Sequence, residues 1–235
     1  MGKIYLVKLN SNIIKFSYFT FISIFGYCIL RNLDHFPTSL GGSGYISKMW
    51  EVGYPNAYLH AKPDYFDFYY LLELTFCLTD LLWIVFIDER QTDFLMMILH
   101  HFCTISLISF SFVSNYSNIG CIVLLLHSSA DVWVYVARVS VLVDMKKIFV
   151  ILAGVILLFA FMYTRLFVLM QVLVSIYTGV TWKWEAVTTF LFTFLCFLYV
   201  LHINWVYLII RKFATLLLKG KKEDTAKIIK CAKNK

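Results

Sequence analysis

The chain has 235 residues, of which 60% are apolar and 15% are charged, and its formal net charge is +7. A soluble domain carries roughly 25% charged residues, so this composition excludes an ordinary soluble globular protein. The apolar residues fall in blocks of about 20, which is the length that a helix needs to cross a hydrocarbon core of about 30 Å.

Six such blocks predict six membrane-spanning helices. Backbone polar groups in lipid must be satisfied within the segment, and the two-residue alternation of a barrel strand is absent from the sequence. We therefore predict an all-α integral membrane protein, a bundle of about six transmembrane helices, at 13–30, 66–87, 94–112, 118–137, 148–176 and 186–210. This transmembrane domain, 13–219, is predicted to lie between a cytosolic N-terminal segment, 1–12, and a basic cytosolic tail, 220–235.

The positions of Lys and Arg predict the orientation, because the cytosolic loops of membrane proteins carry an excess of both. With the N-terminus in the cytosol, sixteen of the 21 Lys and Arg residues lie in cytosolic segments, four lie on the other side and Arg165 lies within a span. Both termini are therefore predicted to be cytosolic. The positive charge then reflects contact with anionic lipid, and we expect no nucleic-acid partner.

Neither the cysteines nor the histidines favour a metal centre. The six cysteines contain no CxxC pair, so the sequence supports neither a zinc site nor a disulfide framework. Two of the histidines are adjacent, and adjacent histidines rarely ligate one ion. We predict no metal and no cofactor.

Eight ionisable residues lie away from the ends of the predicted spans, where a buried charge costs several kcal/mol and marks a functional candidate. Two of them, Glu73 and Arg165, are predicted at a depth of roughly 22–25 Å from the cytosolic ends of their helices, and their opposite charges predict a structural ion pair. The other six are predicted in one layer on four helices, at a depth of roughly 9–16 Å: Asp80, His100, His101, His127, Asp131 and His202.

Four members of this layer are predicted to be functional. His127 and Asp131 are four residues apart and share one helix face, where a carboxylate can fix the tautomer of a histidine ring in its own helix or in the preceding one. His100 and His101 are adjacent and point about 100° apart, so only one of them can aim squarely at a given atom.

The two remaining members of the layer, His202 and Asp80, are interpreted without a catalytic role. His202 lies near Trp205 in the sequence and is interpreted as a packing residue. Asp80 is interpreted as a residue near the lipid headgroups that water can reach.

The stretch from Asp93 to Arg138 resembles the longevity-assurance motif of the ceramide synthases, within the TRAM–Lag1–CLN8 (TLC) superfamily. The paired histidines of that motif match His100-His101, and its His-Asp-x-Ser-Asp stretch matches His127 to Asp131. The resemblance covers about residues 12–219 and includes four flanking segments: Lys48-Met49-Trp50-Glu51 with Tyr54-Pro55, Tyr69-Tyr70 with Glu73-Leu74, Thr164-Arg165-Leu166, and Leu201-His202-Ile203 with Trp205.

The resemblance implies an N-acyltransferase of the endoplasmic reticulum membrane. Such an enzyme joins a fatty acyl group from acyl-CoA, its co-substrate, to a sphingoid base and forms a (dihydro)ceramide. Neutral imidazole can act as base or nucleophile, so His100 or His101 is assigned that role, with Asp131 as its orienter and His127 as a second proton-transfer group. Five basic residues near the cytosolic ends of the spans are assigned to the CoA phosphates: Arg138, Lys146, Lys147, Arg211 and Lys212.

One departure from the family pattern bears on activity. Ser128 stands where the family has an Asp of its functional set, so Ser128→Asp is expected to preserve or raise the activity of an enzyme. Ser128 also favours the alternative of a catalytically inactive TLC-domain protein that binds or senses lipid.

A proton-coupled transporter is a third interpretation, because buried Asp, Glu and His layers also relay protons, although no broken helix or inverted repeat supports it. Homo- or heterodimerisation stays open. For an enzyme, the predicted catalytic side chains converge on one cavity that opens towards the cytosolic face and is apolar below the polar layer.

Overall fold

The computed structural model describes residues 3–50, 62–87, 93–179 and 186–219. The predicted tail 220–235 and part of the flanking motif, Glu51 with Tyr54-Pro55, lie outside the described residues. The helices are α1 (Lys3–Leu30), α2 (Phe66–Phe86), α3 (Phe94–Val113), α4 (Ser117–Leu142), α5 (Lys147–Phe161), α6 (Leu169–Gly179) and α7 (Ala186–Lys219). A π-helical segment, Met162–Val168, joins α5 to α6.

The prediction of an all-α bundle with six spans is confirmed. Six helices of the described chain are long and apolar enough to cross a membrane, and α5, the π segment and α6 together form one of them, Lys147–Gly179. Three boundaries differ from the prediction by five residues or more, one of them the end of α7, which continues from 210 to Lys219. α1 begins at Lys3, so the predicted segment 1–12 is helical from residue 3 onwards, and α4 continues five residues past 137 to Leu142.

α4 is the central helix of the bundle. In its most apolar stretch 61% of the residues are buried, whereas the corresponding share is 22–28% in the other five spans. Small residues such as Gly120, Cys121 and Ala130 allow neighbouring helices to approach α4 closely. Polar side chains of α4 therefore point into the protein interior rather than into lipid.

The five basic residues assigned above lie at one end of the bundle and are exposed, and we call this the basic end. α1 begins there, since the hydroxyl of Tyr5 donates to the carbonyl of Leu142 at the end of α4 (2.8 Å). α7 ends there, because Phe213 packs against Gly154 of α5. The connection between α3 and α4 lies at the opposite end.

Candidate functional site

Three histidine rings from three helices meet in the interior of the bundle, and we call them the histidine cluster. The ring centroids of His127 (α4) and His202 (α7) are 4.8 Å apart. The ring of His100 (α3) lies 6.1 Å from that of His127 and 6.0 Å from that of His202. Trp205 contacts His100 edge-on, with 4.9 Å between the ring centroids. The structure thus brings together two of the predicted catalytic residues and adds His202.

The ring nitrogens of this cluster are mostly unpaired. Nδ1 of His127 donates to the carbonyl of Val123 (2.6 Å), which leaves Nε2 as the free nitrogen of that ring. Within the described part of the chain, Nδ1 of His100, Nε2 of His127 and both nitrogens of His202 are buried without a hydrogen-bond partner. An unpaired buried polar group costs about 1–3 kcal/mol, so packing alone does not explain three such rings side by side.

His101 faces a different part of the protein from His100. Its Nδ1 donates to the carbonyl of Met97 (2.9 Å), and its Nε2 lies 3.3 Å from Oδ2 of Asp80. Asp80 also forms an ion pair with Lys15 of α1. Both nitrogens of His101 are therefore occupied, so His100 is the member of the pair that is available to a reacting group. The interpretation of Asp80 as a water-exposed residue is wrong, because its side chain is buried.

The predicted ion pair between Glu73 and Arg165 is corrected by the structure. Arg165 pairs instead with Asp131, with 2.5 Å between Nη2 and Oδ1. The depth count placed Asp131 too near the surface because it ended the span at 137. α4 continues to Leu142, which moves Asp131 about 8 Å deeper, into the reach of the long Arg165 side chain.

The predicted role of Asp131 as an orienter of an imidazole ring is also corrected. Its carboxylate binds the guanidinium of Arg165, and the same Nη2 donates to the carbonyl of His127 (3.0 Å). Asp131 thus acts on the histidine cluster only through Arg165 and the backbone of α4. Arg165 lies on the π segment, a wider helical turn that recurs at functional sites.

Glu73 is paired with Ser128. The Ser128 hydroxyl donates to Oε1 of Glu73 (2.5 Å), and both side chains are buried. Ser128 therefore faces α2 and points away from the histidine cluster. Where the resemblance expects an Asp, this chain has Ser128, whose neutral hydroxyl donates a hydrogen bond to the buried carboxyl group of Glu73.

An apolar cavity begins at His127 and extends to the opposite end of the bundle. It is partly enclosed by the bundle and partly open to the surroundings. At the far end the hydroxyls of Tyr116 and Thr188 are hydrogen-bonded (2.8 Å). His127 and Tyr116 are eleven residues apart on α4, so the cavity runs along roughly 16 Å of that helix. Aliphatic side chains make up most of its wall, among them Leu107, Ile119, Val123, Leu191 and Leu195.

One wall of the cavity depends on a glycine. The hydroxyl of Tyr70 (α2) is hydrogen-bonded to that of Ser111 (α3) and passes directly over Gly120 of α4. A Cβ atom at Gly120 would lie 1.9 Å from the Tyr70 hydroxyl oxygen. Only glycine at this position therefore leaves room for Tyr70 to close this side of the cavity. Because the Tyr70 hydroxyl is hydrogen-bonded to Ser111, it presents no unpaired polar group to the cavity.

The cavity extends to the opposite end of the bundle from the one that the sequence predicted. We expected an opening towards the predicted cytosolic face, which is the basic end, but the cavity leads from His127 to the other end. Between the histidine cluster and the basic end lies a second buried apolar cluster. Its core consists of Ala130, Leu157, Phe161, Leu201, Trp205 and Val206.

The five basic residues predicted to bind CoA phosphates share one end of the bundle and keep exposed side chains. Arg138 lies with its guanidinium over the ring of Tyr135, 5.3 Å from the centroid. In the described residues, no group of three or more His, Cys, Asp or Glu side chains is arranged to hold a metal ion.

The sequence interpretation missed two features of the site. His202 was interpreted as a packing residue, although its predicted depth already placed it in the layer of His100 and His127. Lys15 was counted only as a cytosolic charge, although it lies inside α1 and pairs with Asp80. For His202 the missing information is helix rotation, which residue counting does not supply, and for Lys15 it is the start of α1 at Lys3, ten residues before the predicted start.

The fold and the site define an all-helical membrane protein with a polar cluster at one end of an apolar cavity. Compared with known protein families, residues 8–211 match the TLC domain. The chain therefore belongs to the TLC-domain family.

Its relatives in that family include several ceramide synthases. The chain is 34% identical to ceramide synthase 4 of Bos taurus over 188 residues, which cover 75% of the chain and 44% of the relative. It is 32% identical to ceramide synthase 5 of Homo sapiens over 171 residues (68% and 42%), and 28% identical to ceramide synthase 5 of Mus musculus over 234 residues (95% and 52%). The chain thus spans about half the length of these relatives, or less.

Proposed function

We propose that this protein is a ceramide synthase-like N-acyltransferase, which transfers a fatty acyl group from acyl-CoA to a sphingoid base. The observation that carries the proposal is the histidine cluster with its unpaired nitrogens at the head of an apolar cavity. The names of the relatives supply the substrate class, since several of them are ceramide synthases.

The chemistry requires groups that move protons at two places. The amine nitrogen of the base attacks the thioester carbon, a C–N bond forms, the C–S bond breaks and CoA leaves as a thiolate. The amine must lose a proton and the thiolate must gain one, and near pH 7 a neutral imidazole can take the first proton while an imidazolium gives the second. His127 lines the cavity, whereas His100 contacts Trp205 on the side of the basic end. We assign His127 to the amine and His100 to the thioester, where it serves as acid or as nucleophile.

The cavity suits an acyl chain. Burying a methylene group in an apolar site contributes about 0.8 kcal/mol, so a chain along this wall of aliphatic side chains is bound without any polar contact. The reacting carbonyl carbon would then lie next to His127 at the head of the cavity. The hydroxyls of Tyr70 and Ser111 satisfy each other and do not disturb this lining.

The CoA part of the substrate fits the basic end, where Lys and Arg side chains can hold phosphate groups. The apolar cluster around Trp205 lies between that end and the histidine cluster. Entry of the thioester from the basic end therefore requires Trp205 and its neighbours to move.

We place the protein in the endoplasmic reticulum membrane with both termini in the cytosol. Without Lys15, which lies inside α1, fifteen Lys and Arg residues on the predicted cytosolic side against four on the other still support the orientation, and the cytosol is where acyl-CoA is found. Protease digestion of intact microsomes should remove tags from both termini. A C-terminal tag that stays protected contradicts this orientation.

A lipid-binding member without transfer chemistry is the second candidate. The hydrogen bond between Ser128 and Glu73 favours it, because the family's Asp is replaced by a residue that binds a neighbouring carboxyl group. Incubation of the purified protein with acyl-CoA and sphinganine separates the two candidates. Dihydroceramide detected by mass spectrometry supports the transferase, whereas bound lipid without any product supports the lipid-binding protein.

A further inference from the structure

We propose that His202 is the middle member of a three-imidazole proton relay, which takes a proton from His127 and delivers one to His100. The proposal rests on the proposed acyl transfer for its substrate and on the geometry of the histidine cluster for its residues. His202 is a positioning and proton-transfer residue that acts through its two neighbours, since it does not line the cavity.

The ring of His202 is buried beside the two other imidazoles of the histidine cluster. The residue is fully buried, and both of its nitrogens are unpaired within the described part of the chain. Its ring lies 4.8 Å from that of His127 and 6.0 Å from that of His100, measured between centroids. A residue that served only to pack could be Phe or Leu at no such cost, because those side chains bury no polar atom.

A hydrogen bond from His127 to the backbone fixes the direction of the relay at that ring. Its Nδ1 donates to the backbone carbonyl of Val123, so that nitrogen keeps its proton. A neutral ring then carries a lone pair on Nε2, which is the nitrogen that accepts a proton from the amine. This imidazolium returns to its neutral form by losing the same proton, and His202 is the nearest imidazole.

The protons balance across the three rings. The amine proton goes to Nε2 of His127 and then to one nitrogen of His202, which releases the proton of its other nitrogen to Nδ1 of His100. His100 gives the proton of its Nε2 to the CoA thiolate. The products are the amide and CoA thiol, and the relay ends with neutral rings.

The charged and titratable groups around His202 are few. His100 faces it from α3, His127 from α4 and Arg165 from the π segment, and the charge of Arg165 is balanced by Asp131. Phe161 of α5 contacts the ring edge-on and carries no ionisable group. A change of His202 therefore alters the pH profile of turnover through the two other imidazoles.

The kinetic test compares His202→Gln and His202→Asn with Phe161→Leu, a control that removes a ring contact of His202 and keeps all three imidazoles. For both His202 variants we expect kcat to fall at least about tenfold, with an unchanged KM for acyl-CoA, an altered pH profile and a melting temperature near that of the wild type. The control should keep the wild-type pH profile. Variants with wild-type kcat and pH profile, or variants that lose kcat only as far as they lose folded protein, overturn the relay.

A second measurement does not depend on turnover. In protein labelled with ¹⁵N-histidine, we expect His202→Gln to shift the ring nitrogen signals of His127, and Phe161→Leu to leave them nearly unchanged. Unchanged His127 signals in His202→Gln overturn the relay. A wild-type protein that makes no ceramide but shows this shift contradicts the proposed function and keeps the coupling of the two rings.

Discussion

Arg165 and Asp131 form an ion pair in the interior of the bundle, and it joins the π segment to α4 next to the histidine cluster. Nη2 of Arg165 lies 2.5 Å from Oδ1 of Asp131, and the same nitrogen donates to the carbonyl of His127. The Arg165 side chain is 4% exposed and that of Asp131 is 24% exposed. One guanidinium thus fixes both a carboxylate and the backbone that carries a cluster histidine.

Removing either partner of this pair should destabilise the protein. Arg165→Gln leaves a buried carboxylate without its cation, and Asp131→Asn leaves a buried guanidinium without its anion. We therefore expect each substitution to lower the free energy of unfolding by about 3–5 kcal/mol. The double variant should lose less unfolding free energy than the two single variants lose together, because it leaves neither charge unpaired. Unfolding in detergent micelles measures these free energies.

The matched control is the exposed pair of Lys62 and Asp67, which are 2.9 Å apart. Asp67→Asn should cost less than about 1 kcal/mol, because the Asp67 side chain is 55% exposed and surface ion pairs contribute little. Strictly additive effects of Arg165→Gln and Asp131→Asn would show that the two side chains do not act as a pair.

The sequence predicted the number and type of the helices because long apolar blocks leave a chain in lipid few other choices. It also predicted that His100 and His101 point to different neighbours, which follows from the 100° step of a helix. It did not predict the ion pairs. A five-residue error at the end of α4 placed Asp131 about 8 Å too near the surface, and residue counting gives no helix rotation, so it could not show which carboxylate Arg165 meets.

The direction of the cavity could not be read from the sequence either. Aliphatic and aromatic residues occur along the whole length of every span, so composition does not show where they interlock and where they leave space. In the structure Trp205 and Phe161 fill the basic side of the histidine cluster, and Gly120 lets Tyr70 shape the other side. Both features depend on the packing of side chains from different helices.

Ser128 offers a test of the site's electrostatics. The sequence led us to expect that Ser128→Asp preserves or raises activity. In the structure this carboxylate would face Glu73, whose Oε1 now accepts the Ser128 hydroxyl hydrogen bond at 2.5 Å. Two carboxylates at this distance oppose each other's ionisation, so we now expect Ser128→Asp to lower the melting temperature.

Replacing Glu73 with Gln should restore part of the melting temperature that Ser128→Asp lowers. We expect Ser128→Asp with Glu73→Gln to melt at a higher temperature than Ser128→Asp alone. Ser128→Asn is the control of equal size, and it should melt above Ser128→Asp because it adds no charge. Equal melting temperatures for the Asp and Asn variants would contradict a direct contact with Glu73.

The cavity wall predicts which acyl chains are accepted. Val123 lines the cavity one helical turn from His127, so Val123→Phe should shorten the space for a chain. We expect turnover with long-chain acyl-CoA to fall about tenfold or more relative to turnover with short-chain acyl-CoA, because the longer methylene chain loses its apolar contacts. A competition assay with mixed chain lengths, read by mass spectrometry, measures this ratio.

Val200→Phe is the control for that assay. Val200 lies on the exposed face of α7, where the added ring meets lipid rather than the cavity. The chain-length ratio should stay at its wild-type value in this variant. An equal change of the ratio in both variants would show that the cavity is not where the acyl chain lies.

Acyl transfer at the histidine cluster can be tested with the two adjacent histidines, because His100 belongs to the cluster and His101 does not. Ceramide formation by His100→Gln and His101→Gln is to be compared with that of the wild type, at equal amounts of folded protein. We predict a fall of about 100-fold or more for His100→Gln with little change in melting temperature, since His100 has an unpaired nitrogen in the cluster. His101→Gln should instead lower the melting temperature and keep most of the turnover, because His101 is bound to Asp80 and Met97. A His100→Gln variant that forms ceramide at the wild-type rate contradicts the account.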